Sequence, residues 1–183
     1  MKNTVIFLVS MLFLFISCTF DYGSGGDSDD TLPDLIMINV DYVRVRSADP
    51  LARIFAERVE RFEKQNLMKL ENVTFEQYGE RGEEVYILGK TGNAVVEIGT
   101  GDIFMDRNVR IEVTAEDIIL ETSQLEWKDD QKILSTGEND EVFIYRENGT
   151  SFTGTGLSGN ARNRTWEFSG SVRGTYVHEN SNE

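Results

Sequence analysis

Gly154–Gly159 reads GTGLSG and fits G-x-G-x-x-G, the spacing at which glycines cradle the pyrophosphate of a dinucleotide. That chemistry needs a strand before the glycines, a helix opening on them, and an acidic residue about 20 positions on to hold a ribose. The residues after Gly159 are NARNRTWEFSG, in which Asn160, Asn163, Thr165, Trp166 and Phe168 favour a turn and then a strand. No βαβ unit is expected between there and Glu183, so the glycines are expected to serve β structure: positive φ at turns and close backbone approach in a bent strand.

The remaining reactive side chains do not assemble an active site. The sequence has one histidine, His178, in the polar end VHENSNE, and one cysteine, Cys18. A catalytic triad or a His-rich metal centre cannot be built from them, so neither enzymatic activity nor a cofactor or metal is expected. The carboxylate runs KDDQ and GENDE lack the alternating ligand spacing of a calcium loop and are expected to be solvated turns. The 183 residues carry 32 acidic against 18 basic side chains, a net charge of −14, which repels phosphate backbones and argues against nucleic-acid binding.

Cys18 is informative through its position. The chain begins MKNTVIFLVSMLFLFISC: a basic Lys2, an apolar core over Val5–Ile16, the small Ser17, then the cysteine. The apolar run is short for a membrane span and suits a signal peptide. Residues 1–17 are expected to be a lipoprotein signal peptide and Cys18 the lipidated first residue of the mature chain, stably anchored by its acyl chains. Residues 18–34, with TFDYGSGGDSDDTLPD, have the small acidic composition of a flexible tether. A folded domain is expected over 35–177 and a frayed tail over 178–183.

These residues have to be placed by β structure. LIMINVDYVRVR alternates apolar and polar from Ile38 to Arg46, as a half-buried strand does, and KLENVTFEQY, EEVYILG, VRIEV, DIILET and EVFIYR are short β-rich runs. GERG, KTGN, GTGD, MDRN, KDDQ, TGEND and ENGT read as the turns between them. One segment dissents. DPLARIFAERVERFEKQN has Leu51, Phe55, Val59 and Phe62 at helical spacing behind Asp49-Pro50, and its local pattern predicts a helix. A weak repeat also runs through the chain: LGKTGN from Leu88, LETSQL from Leu120 and FTGTGL from Phe152 are 32 residues apart, each followed by strand, turn and strand.

The order PLARIFAERVERFEKQNLMKLENVTF, then NVRIEV, then LETSQLEWKDDQKILSTGENDEVFIY, then GTSFTGTGLSGNARNRTWEFSGSVRGTY resembles the LptC family, the membrane-anchored periplasmic component of lipopolysaccharide export. The resemblance covers about Asp49–Val177 and lies in order and spacing rather than in one motif. It implies an all-β fold, a twisted open antiparallel β jelly roll built from repeated strand–turn–strand units. It also implies that ARIFAERVE is extended, against its local pattern.

The function implied is carriage without chemistry. The resemblance implies a non-enzymatic, lipid-binding bridge protein that takes lipopolysaccharide or a related glycolipid from an inner-membrane ABC transporter and passes it to a periplasmic jelly-roll bridge protein, LptA-like, joined edge to edge. Its place would be the periplasmic side of the inner membrane, lipid-anchored, with the outer membrane as the alternative address. Val109, Ile111, Ile118, Leu120, Trp166 and Phe168 are expected to face the lipid, since each pair shares a strand face at period two. The last strand, Val172, Arg173, Gly174, Thr175, Tyr176 and Val177, is expected to be an open docking edge. The competing reading is a periplasmic or surface lipoprotein whose β-sandwich binds a protein partner.

Overall fold

A computed structural model describes residues 31–79, 84–163 and 165–177. Cys18 and His178, and with them the expected signal peptide, most of the tether and the tail, lie outside the described residues. Among those described, twelve strands form one antiparallel sheet: β1 Leu35–Arg46, β2 Asp49–Phe62, β3 Leu67–Tyr78, β4 Val85–Glu97, β5 Ile103–Val113, β6 Ile118–Lys128, β7 Ile133–Ser135, β8 Glu141–Tyr145, β9 Ser151–Thr155, β10 Leu157–Asn160, β11 Thr165–Phe168 and β12 Arg173–Thr175. One 3-10 turn, Thr114–Glu116, links β5 to β6. This is the all-β, open, twisted antiparallel jelly-roll architecture that the sequence implies. No helix among the described residues is long and apolar enough to cross a membrane.

The register simplifies the topology. β7 pairs with the end of β6 and β8 with its start, so the two lie end to end along one neighbour. β10 and β9 lie end to end along β7 and β8, and β11 and β12 along β10 and β9. The described strands therefore make nine courses, each antiparallel to the one before, as short hairpin connections allow. The 32-residue repeat is one out-and-back pair of these courses. Its first copy is offset by one residue, because Gly89 and not Leu88 shares a face with Leu120.

Every course bends at the same level. Asn39 stands opposite Glu57, Glu57 opposite Asn72, and Asn72 opposite Gly92. The line continues through a bulge at Arg107 and Asn108 to Ser123, the gap between β7 and β8, and Gly156 between β9 and β10. Asn39, Asn72, Arg107, Asn108 and Gly156 all have positive φ. Asparagine and glycine tolerate that region best, so residues typical of turns occur within strands. KTGN and MDRN, expected to be turns, are the bend points of β4 and β5, with the chain extended on both sides.

The bend resets the alternation of faces. Buried or core-packed residues recur three apart across it: Met37 and Val40, Ala56 and Val59, Leu70 and Val73, Thr91 and Ala94, Thr122 and Leu125. Bulged residues add the odd step that keeps the apolar side facing inward on both limbs. β2 is the segment whose local pattern predicts a helix. Its buried residues Ala56 and Val59 are three apart because the bend falls at Glu57, and its fourteen residues are extended. The two limbs fold toward each other and share one core, in which Leu125, Val142, Leu157 and Val109 are fully buried.

Candidate functional site

The surface enclosed by the bend is apolar and crosses the sheet from edge to edge. Register places Tyr42, Ile54, Phe75, Gly89, Ile111, Leu120, Ile144, Phe152 and Gly174 in one transverse row on one limb. On the other limb Met37, Val59, Leu70, Ala94, Met105 and Leu125 form a second row. Nearest the bend, Val40, Ala56, Val73, Thr91, Val109, Thr122, Val142 and Gly154 face the same interior. This inward surface, lined by side chains from every course, is the candidate site.

Four of the six sequence-picked lining residues fall on one limb of it. Val109 and Leu120 belong to the buried core, Ile111 is half-buried against it, and Ile118 is half-buried at the start of β6. Val109 and Ile111 follow period two within β5 beyond its bulge, as Ile118 and Leu120 do in β6. Phe168 packs against the same core from the far end of the sheet. Trp166 lies across Gly159 and stays 56% exposed, so it sits at the margin of the surface.

Sequence reasoning missed Phe75, Ile54 and Ile144, which complete the row. Their neighbours across the sheet depend on register, which a single strand pattern does not contain. The glycines carry a signal that is visible afterwards. A Cβ on Gly89 would lie 2.1 Å from Phe75 Cζ, one on Gly174 2.4 Å from Phe152 Cδ1, and one on Gly159 2.7 Å from Trp166 Cε3. In each case the ring belongs to the residue directly opposite. Bare glycine backbone seats an aromatic ring from the next strand, which restores packing that the glycine itself lacks. Of the GTGLSG glycines only Gly156 needs positive φ, at +66°. Gly154 and Gly159 supply close approach to Phe168 and Trp166.

The bend is fixed by polar groups. Buried Thr91 places its hydroxyl 2.6 Å from the Asp106 carbonyl and 2.9 Å from that of Asn93. Buried Thr122 donates to the Glu141 carbonyl at 3.0 Å. The Asn93 and Asp106 carbonyls belong to the last β4–β5 pair before the bulge, and the Glu141 carbonyl opens β8. Outside, Asn72 donates to Glu57 at 2.5 Å and Asn93 to Asp106 at 2.7 Å.

The opposite, outward face mixes charged groups with the exposed side chains of Phe55, Leu88, Phe104 and Phe143. A shallow depression of about 480 Å³ is lined by Lys90, Asn108, Arg110, Glu121, Ser123 and Glu141, among others. Arg110 donates to Glu121 at 2.5 Å and also to Tyr145, which donates to Glu121 at 3.0 Å. The Arg110 guanidinium holds the Glu121 carboxyl below its ordinary value, against the opposing effect of burial. At the strand ends KDDQ forms the β6–β7 turn. Asp129 there accepts from Lys132 at 2.7 Å and Trp127 at 3.1 Å, and both interactions lower its pKa. The arrangement sets an apolar interior against an exterior that carries these paired charges.

Both margins of the sheet have one partner. β1 pairs only with β2 among the described strands, and its exposed apolar residues include Ile36, Ile38 and Tyr42. At the other margin lie β11 and β12. The expected docking strand Val172–Val177 is regular only over Arg173–Thr175, and Val177 N–H donates to Thr150 Oγ1 at 3.1 Å. Arg146 N–H donates to the Thr150 carbonyl, which directs Phe152 and Gly154 toward β8 and leaves Ser151 and Thr153 for β12. Alternation then turns the backbone groups of Arg173 and Thr175 inward and those of Gly174 to the outside.

Residues 4–177 match the family model described as Lipopolysaccharide-assembly, LptC-related. No curated protein matches the chain in sequence.

Proposed function

The chain belongs to the LptC-related family of lipopolysaccharide assembly, and on that premise we propose that it is a non-enzymatic bridge protein whose folded interior carries the acyl chains of lipopolysaccharide or a related glycolipid. Family membership places it in lipopolysaccharide transport, with partners in that export system, on the periplasmic side of the inner membrane. In our reading an ABC transporter in that membrane delivers the glycolipid. The interior holds the acyl chains while the head group stays in water. The lipid then passes to an LptA-like jelly roll. Lipidated Cys18 is the anchor and residues 18–34 the tether, so the domain works within reach of the bilayer.

The observation that carries this reading is the course of the apolar surface. It runs across the strands from the β1 margin to the β12 margin, and each margin ends in a strand with one partner. A bridge needs two joints, and among the described strands this sheet has two margins left for backbone pairing with neighbouring sheets. We assign the β12 margin to the next periplasmic jelly roll and the β1 margin to the transporter. The alternative, a lipoprotein that binds protein through a closed β-sandwich, would not need an apolar surface that reaches both margins.

The test is a photo-crosslinking residue at Ile111, on the inner row, against the same residue at Glu112, on the outer face. In cells Ile111 should capture glycolipid and Glu112 should not. Adducts with protein alone at Ile111 would overturn the carrier reading in favour of the binding module.

A further inference from the structure

Phe75 and Gly89 face each other directly across β3 and β4, on the row that continues through Ile111 and Leu120. The ring lies against bare backbone: the position a Cβ would take on Gly89 is 2.1 Å from Phe75 Cζ, 2.2 Å from Cε1 and 2.7 Å from Cε2. Gly89 is buried while Phe75 is only partly so. Any side chain at position 89 would push the ring off the sheet. Carbon–carbon contact needs about 3.5 Å, so the ring would move by roughly 1.4 Å. The strand lies behind it, so the displaced ring would be driven into the apolar interior that the limbs share. Phe152 on Gly174 repeats the arrangement at the other end of the same row.

We infer that the Phe75–Gly89 pair sets the bore of the acyl-chain path, so that the bulk an acyl group can have is determined by a ring seated on a glycine. The inference rests on the carrier reading given above and names a specificity-determining pair within it. A path between two limbs is narrowed most by the groups that stand highest on its walls. On this row the aliphatic side chains have fixed heights, whereas an aromatic ring stands either flat or proud according to what lies beneath it. Glycine beneath Phe75 keeps it flat. The pair therefore holds the path open for chains that a one-methyl change would exclude.

The experiment uses the full-length chain purified from membranes in detergent. It measures binding of a fluorescent anthroyloxy-stearate and its displacement by purified lipopolysaccharide. Gly89→Ala should weaken binding of both by about tenfold, the scale on which a hydrophobic pocket reads one carbon. Gly89→Ala with Phe75→Leu should recover to within about threefold of the wild type, since a smaller flexible side chain has no ring to displace. Gly99→Ala, where a Cβ meets nothing within 4 Å, should bind as the wild type does. Phe75→Leu alone keeps the glycine and should raise preference for lipopolysaccharide over the single-chain probe by about threefold. If the wild type binds neither lipid, the carrier reading fails and this inference with it. If the wild type binds and a folded Gly89→Ala variant binds equally well, the carrier reading stands and the bore assignment is wrong. Should Gly89→Ala not fold, an unchanged preference in Phe75→Leu overturns the assignment on its own.

Discussion

Trp166 lies across Gly159, its direct antiparallel partner, with the indole Cε3 2.7 Å from the point a Cβ on that glycine would occupy. The ring is 56% exposed, so it has room to swing outward. Gly156, three residues earlier, has no such relief. Its φ is +66°, and a Cβ there would lie 1.9 Å from Ser169 Oγ and 3.0 Å from the Glu138 carbonyl.

These environments rank three substitutions. Gly156→Ala combines a left-handed backbone with steric overlap and should cost about 2–4 kcal/mol. Gly159→Ala should cost about 1 kcal/mol, because an exposed ring gives way. Gly99→Ala meets nothing within 4 Å and should stay within about 0.5 kcal/mol of the wild type. Urea unfolding of the three variants checks the order, and equal midpoints for Gly156→Ala and Gly99→Ala would sink it.

The bend makes the second prediction. Thr91→Val keeps shape and removes the hydroxyl that caps the Asp106 and Asn93 carbonyls in a buried position. Losing the hydrogen bonding of a buried hydroxyl costs about 0.5–1.5 kcal/mol. Thr74→Val changes an exposed β3 residue and should change stability by less than about 0.5 kcal/mol. Thermal melts of the two variants make the comparison, and a Thr91→Val variant as stable as Thr74→Val would show that the hydroxyl does not fix the bend.

The same bend explains which parts of the fold are legible in the sequence. Alternation in LIMINVDYVRVR identifies β1, and the family resemblance supplies the architecture. KTGN and MDRN read as turns because the bend puts a glycine, Gly92, and the positive-φ residues Arg107 and Asn108 inside continuous strands. β2 looks helical for a related reason: the odd step at Glu57 spaces Ala56 and Val59 three apart, which local pattern cannot tell from a helix. Val109, Ile111, Ile118 and Leu120 are accessible to sequence reasoning because each pair lies on one side of the bend. Phe75 is not, since its place beside Gly89 is a matter of register between strands.

Acid should loosen the turns at one end of the strands. Asp102 accepts from Asp129 N–H at 2.9 Å and from Lys128 Nζ at 3.1 Å, and these bonds, the backbone one foremost, hold its carboxyl below the ordinary range. Asp129 is lowered as well, by Lys132 first and Trp127 second. A carboxyl whose folded pKa is depressed contributes stability above its unfolded pKa and loses it as pH falls through the folded value. The melting temperature should therefore hold steady from neutral pH to the ordinary carboxylate range and drop below it. Asp102→Asn should melt lower at pH 7 and show a shallower acid slope. An identical slope in Asp102→Asn would remove Asp102 from the account.

The two margins give the last prediction. If the β12 margin joins the next jelly roll and the β1 margin the transporter, a photo-reactive residue at each should find a different partner. Tyr176, 71% exposed just beyond β12, and Tyr42, 55% exposed in β1, are aromatic already and tolerate such a replacement with little loss of packing. Tyr176 should crosslink to the LptA-like protein and Tyr42 to a transporter subunit. In that arrangement the outward backbone at Gly174 would supply the ladder for the first joint. Proline at Thr175 is a poor probe of it, because that N–H faces β9 and its loss would detach β12 itself. Leu88, exposed on the outer face of β4 in mid-sheet, is the control position and should give neither adduct. Exchanged partners would reverse the direction of the bridge. Adducts at Leu88 matching those at both margins would show that the partners bind a face of the sheet and not its edges.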